Sequence, residues 1–133
     1  MDSMKIVLLA DISKNELLVN FCVAYQQILG RHELMAPHQT AQLIASSTSL
    51  RPTTFSNVNE NFFSLLASKA FYNEIDALIY LRDPKEETPV TQQRLFLACD
   101  ANSIPFATNT ATAEMLVLAI GRGDLDWREL IRT

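Results

Sequence analysis

Glycine is scarce in this 133-residue chain, which has only Gly30, Gly121 and Gly123. All three fall where apolar helical patterns end, and none stands in a loop leading from a strand into a helix. A G-x-G-x-x-G turn or a P-loop needs glycine there, because backbone N–H groups must approach phosphate oxygens closely. Nucleotide binding by either device is excluded. Cysteine is as scarce: Cys22 and Cys99 both lie inside apolar helical patterns. A disulfide framework is not expected, and the pair reads as buried free thiols of a cytoplasmic protein. The two histidines, His32 and His38, have no His or Cys partner at metal-ligand spacing, so neither a metal nor another cofactor is called for. Net charge is −4 with no Lys/Arg cluster, which excludes a nucleic-acid partner because nothing would neutralise its phosphates. Long apolar runs are absent too, so no membrane partner is expected. In MDSMKIVLLAD the apolar run meets Asp11 at once, which reads as a strand and not a signal peptide.

With 48% hydrophobic and 20% charged residues, the chain has the balance of one soluble domain. Short apolar runs alternate with amphipathic segments. Strands are expected at 5–10, 32–36, 51–55, 77–81 and 105–108. Helices are expected at 14–29, with Ser13 as N-cap, Gly30 as stop and Leu17, Leu18 and Phe21 facing inward, and then at 39–46, 59–72, 91–102 and 110–120, the last closed by Gly121. Residues 124–133 form a short helix or tail anchored by Trp127. The domain proper spans 1–121, with 122–133 as its terminal appendage. Strand–helix alternation repeated five times implies right-handed crossovers, hence a single-domain, three-layer α/β/α architecture with a five-stranded, mainly parallel sheet.

In such folds ligands bind outside the carboxyl ends of the strands. The loops at 10–13, 36–40, 55–60, 82–89 and 108–112 are therefore the ones to examine. Helix starts bearing Thr40, Ser56, Asn57, Thr110 and Thr112 could hold an anion on free N–H groups, although plain N-capping explains the same residues. Asp11 and Asp83 each follow a strand directly, and a parallel sheet sends both to one rim. Two such carboxylates could do general acid–base work, and an Asx or Asp-Pro turn is the plainer alternative for each.

Four longer stretches carry a resemblance. IVLLADISKNELLVNF (6–21) looks like I-A-L-I-A-H-D-K-K-K-x-x-L-V-x-F, and HELMAPHQTAQLI (32–44) like H-x-L-Y-A-T-G-T-T-G-x-L-I. EIDALIYLRDP (74–84) is close to K-I-D-x-V-I-F-F-x-D-P, and RLFLACDANSIPFATNTATAEML (94–116) to L-L-R-L-C-D-x-x-x-I-P-x-A-T-N-x-A-T-A-E. Over nearly its whole length the chain resembles the methylglyoxal synthases and methylglyoxal synthase-like domains. The resemblance implies a Rossmann-like fold, a ring-like homohexamer, and elimination of phosphate from dihydroxyacetone phosphate. That reaction uses a carboxylate base, a histidine at the carbonyl and hydroxyl oxygens, and a Gly/Thr/Ser/Lys phosphate cradle.

The scaffold matches while the chemistry departs. Asp11 and Ile12 stand at the family's His-Asp pair, and Lys14 falls within its lysine run as a phosphate-binding candidate. T-G-T-T-G becomes Pro37-His38-Gln39-Thr40-Ala41. S-G-P-x-G-G-D-Q-Q, which supplies the base, becomes Ser56-Asn57-Val58-Asn59-Glu60-Asn61-Phe62-Phe63-Ser64, in which Glu60 could replace the aspartate only by a shift of two positions. The loop after Asp83-Pro84 lacks the family's P-H-D-P, and the C-terminal extension that carries an arginine is short, with Arg128 and Arg132 its nearest candidates. The expectation is a catalytically silent member that senses a phosphorylated or other anionic metabolite. Its site would gather Lys14, His38, Thr40, Ser56, Asn57 and Asp83. Related domains in carbamoyl phosphate synthetase serve as allosteric effector sites. The alternative is a divergent lyase that uses Asp83, Asp11 or Glu60 as base and His38 as electrophile. A structural partner in an assembly of related subunits is a third reading.

Overall fold

KIVLLA forms β1 (Lys5–Ala10), whose central four residues are fully buried because helices cover both faces of the strand. A computed structural model describes residues 3–55 and 60–131, and of Phe55, Glu60 and Asn61 only the backbone. A 3₁₀ turn (Ile12–Lys14) leads into α1 (Asn15–Ala24) and α2 (Gln26–Leu29), followed by β2 (Glu33–Pro37), α3 (His38–Ser47) and β3 (Thr53–Phe55). Then come α4 (Glu60–Phe71), β4 (Ala77–Leu81), α5 (Val90–Ala101), β5 (Phe106–Ala107), α6 (Thr110–Arg122) and α7 (Arg128–Ile131). All strand pairs are parallel, in the order β3-β2-β1-β4-β5.

Alternation along the strands divides the core. Ile6, Leu8, Ala77, Ile79 and Leu81 face α1, α3 and α6, and Val7, Leu9, Leu78 and Tyr80 face α4 and α5. Each fully buried Leu or Ile contributes about 1.5–3 kcal/mol. Among the described residues no helix is long and apolar enough to cross a membrane. Cys22 and Cys99 are buried and unpaired, and burial pushes both thiols up to about 12.

Several local expectations are corrected. The helix expected at 14–29 breaks at Tyr25, whose ψ of 21° leaves the helical range. Ser13 caps nothing: its hydroxyl donates instead to Asp83. Leu17 is not inward, being 44% exposed. The cap of α6 is Gly123, in the left-handed conformation at φ 80°. Gly121 lies within α6 against α2, where a Cβ would meet the tip of Ile28 (Cδ1) at 2.8 Å.

Trp127, 44% exposed, does not anchor the C-terminal segment; Arg128, 1% exposed, does. Its guanidinium donates to the carbonyls of Asn102 (3.1 Å), Ser103 (2.6 Å) and Ile75 (3.3 Å), and to Asn73 Oδ1 (2.5 Å). It also pairs with buried Asp76 at 3.5 Å. Asn73 and Ser103 hold left-handed backbones at φ 57° and 53°, so two tight turns meet on this one side chain. Arg128 is thus part of the core, and Arg132 lies outside the described residues.

Candidate functional site

Chain order reverses beside β1: the path runs outward through β2 and β3 and returns as β4 on the other side. The carboxyl ends of β1 and β4 therefore flank a switch point, where the departing loops diverge and leave a crevice. Backbone bonds extend the ladder past the strands, Asp11 N–H donating to the Leu81 carbonyl (2.9 Å) and Arg82 N–H to the Thr108 carbonyl (3.1 Å). This fixes the first rim residues as firmly as the strands.

Asp11 and Asp83 meet here, as sequence position suggested, but they meet as acceptors. Asp11 Oδ1 accepts from the Tyr80 hydroxyl (2.8 Å) and Oδ2 from the Asp83 backbone N–H (2.6 Å). Asp83 Oδ1 accepts from the Lys85 N–H (2.9 Å), closing an Asx turn, and Oδ2 from the Ser13 hydroxyl (2.8 Å). The Lys85 N–H, then the Ser13 hydroxyl, hold the Asp83 carboxyl below the usual carboxylate range. Burial first, then the bond to Asp11, raises the Tyr80 phenol far above its ordinary value, so it stays protonated. The group is a clasp between two rim loops.

Two clefts open on either side of the clasp. The larger, about 540 Å³, lies between the N-terminus of α3, the first turns of α4 and the end of β1. Its walls include Asp11, Asn15, His38, Thr40, Phe62 and Tyr80. Pro37 caps α3 without a side-chain acceptor, so the N–H groups of His38, Gln39 and Thr40 have no intrahelical partner. Thr40, only 9% exposed, lines the cleft beside them. The smaller cleft, about 460 Å³, lies between α1, the 82–88 loop and the start of α6, and Lys14, Arg82, Glu86 and Thr110 line it.

The structure therefore gathers Asp11, His38 and Thr40 in one cleft and sends Lys14 to the other. Asp83 is among the lining residues of neither. Thr110 lines the smaller cleft, and the α6 terminus is capped by Asn109, whose Oδ1 accepts from Thr112 N–H (3.0 Å). Ser56 and Asn57 lie outside the described residues, as does the Glu60 side chain. His32 is structural: its Nδ1 accepts from Met4 N–H (3.0 Å). Among the described residues, no group of three or more His, Cys, Asp or Glu side chains could hold a metal ion.

Sequence reasoning missed Asn15, Phe62, Phe63 and Tyr80 as lining residues. One signal was available for Phe62. It stands at the aspartate of the S-G-P-x-G-G-D-Q-Q pattern, yet its helical spacing reads as core. It is both: 3% exposed, with an edge on the cleft. Phe63 packs on it edge-to-face (centroids 5.3 Å) and stacks on Tyr80 (6.0 Å).

Comparison with known proteins adds kinship. No protein-family model matches the chain. A methylglyoxal synthase from Caldicellulosiruptor saccharolyticus is 42% identical over 130 residues, covering 96% of this chain and 92% of its own. One from Alkaliphilus metalliredigens is 38% identical over 131 residues, covering 97% and 98%. Among solved structures, the crystal structure of methylglyoxal synthase from Elizabethkingia anophelis NUHP1 shares the fold with a TM-score of 0.77. It is 24% identical, over 86% of this chain and 77% of that one.

Proposed function

The chain belongs to the methylglyoxal synthase family, and from that premise we propose that it is a member whose lyase chemistry has lapsed and whose larger cleft binds a small anionic metabolite. The observation that carries this reading is Phe62, an apolar ring on the cleft wall at the position of the family's base. Abstraction of a carbon-bound proton needs a positioned acceptor, and losing such a group costs about 10²–10⁴-fold in rate. Asp11 cannot take over freely. Both of its oxygens already accept hydrogen bonds, from the Tyr80 hydroxyl and the Asp83 N–H, which hold it in the clasp. Asp83 is engaged in the same way. What persists is an anion-accepting end: the uncapped start of α3, with Thr40 and His38. Effector domains of related fold are a precedent for such use. Buried, unpaired thiols support a cytoplasmic setting, and self-association follows from the family resemblance.

A second reading, a divergent lyase, is favoured by the 42% identity to a methylglyoxal synthase. In that case Asp11, freed from its clasp by substrate, would be the base and His38 the electrophile. One assay separates the two. Purified protein incubated with dihydroxyacetone phosphate, with methylglyoxal and released phosphate both measured, is expected to give no turnover above the uncatalysed rate. Turnover that disappears in Asp11→Asn or Asp83→Asn establishes the lyase instead.

A further inference from the structure

We infer that the metabolite taken by the larger cleft is an amphipathic anion, a single carboxylate or phosphate carried on a flat apolar body, and not a polar triose phosphate. This rests on the anion-binding reading above and concerns what the rest of the ligand must be. Two kinds of surface line the cleft. One is the start of α3, where three first-turn N–H groups lack intrahelical partners and Thr40, 9% exposed, lines the cleft. Free donors gathered at one helix start favour a charged acceptor.

The other is apolar: Leu9, Leu43, Phe62 and Phe63, with the ring of Tyr80. Because the Tyr80 hydroxyl is committed to Asp11, that residue presents its ring and not a free donor. The Phe62–Phe63–Tyr80 arrangement is already assembled by edge-to-face and stacked contacts, so binding a flat body requires no reordering of the aromatic wall. A polar triose lying on these rings would give up water that the rings cannot replace, leaving Asn15 and Gln92 of the same cleft to pair its hydroxyls.

Charge sets the orientation. The Asp11 carboxylate stands at the β1 end and repels a second anionic group, so the ligand carries one anion and directs it to α3. A volume of about 540 Å³ suits a body larger than a phosphate alone, within the ordinary range of ligand pockets.

Calorimetric titration of the full chain with four probes tests this: phenyl phosphate, phenylacetate, dihydroxyacetone phosphate and inorganic phosphate. Phenyl phosphate is expected to bind at least tenfold more tightly than dihydroxyacetone phosphate or inorganic phosphate. Thr40→Val should weaken phenyl phosphate and phenylacetate several-fold. Leu43→Ser, on a partly exposed face of α3 where folding is not at risk, should weaken phenyl phosphate and leave inorganic phosphate unchanged. Equal or tighter binding of dihydroxyacetone phosphate overturns the inference while the anion-binding function stands. Phenyl phosphate binding that neither substitution alters also overturns it, because the site is then elsewhere. No binding by any probe removes both.

Discussion

Asp83 follows a buried strand, reaches the rim, and is then consumed by its surroundings. Its two oxygens accept from the Lys85 N–H and the Ser13 hydroxyl, and these bonds favour the ionised form. A depressed folded-state pKa means that the folded chain binds fewer protons than the unfolded chain just below the ordinary carboxylate value. Its stabilising contribution is therefore complete above that value and lost as the pH falls through the folded pKa. Urea unfolding followed from pH 6 downward should show stability falling below about pH 4, near the unfolded carboxylate value. The fall should be shallower in Asp83→Asn, which keeps an acceptor but cannot titrate. An identical acid limb in both proteins would mean that the turn does not depend on the charge.

At the scale of elements, His32 ties the start of β2 to the residue before β1. Its Nδ1 accepts from Met4 N–H while the neighbouring Glu33 N–H donates to the Met4 carbonyl. Burial, then the adjacent Arg31 charge, lowers its pKa, against a smaller opposing effect of Asp126. The neutral ring is thus the one the fold wants, and protonation breaks the acceptor bond. With the folded pKa below the unfolded one, stability is full above about pH 6.5, the ordinary histidine value, and declines as pH falls through it. Thermal unfolding between pH 8 and pH 5 should show that decline. His32→Asn, which can accept the same bond without titrating, should flatten it.

At the scale of the whole molecule, one arginine fastens the C-terminal segment to the end of the sheet opposite the clefts. Arg128 bridges the turn after α4, the turn after α5 and Asp76, which itself accepts from Lys5 N–H of β1 (2.8 Å). Arg128→Ala removes the guanidinium and leaves the Asp76 charge in the core. Breaking a buried pair by one partner costs about 3–5 kcal/mol. The urea midpoint should fall accordingly with the m-value unchanged, and a change below about 1 kcal/mol would show that water replaces the guanidinium at little cost. A loss confined to fraying of α7 would instead mark the segment as an independent appendage.

Sequence alone determined the frame of this protein. The period-2 and 3.6-residue patterns are local properties of the chain, so they located every strand, with β4 at 77–81 to the residue, and the three-layer parallel architecture that follows from alternation. The lack of loop glycines needed no structure to exclude phosphate loops, and the motif resemblance led to the family. What only tertiary structure decided is which way each side chain looks once helices and sheet are assembled. Lys14 and Asn15 are neighbours in sequence, yet the first helical turn sends one to each cleft. Ser13 had the chemistry of a cap and became a clasp, because Asp83, seventy residues on, arrives beside it. Phe62 carried a core signal and stands on a cleft wall, since a helix that starts at the rim buries its first turn against whatever the loops leave open. Hydrophobic spacing reports burial but not what a residue is buried against. That depends on contacts between residues far apart in the chain.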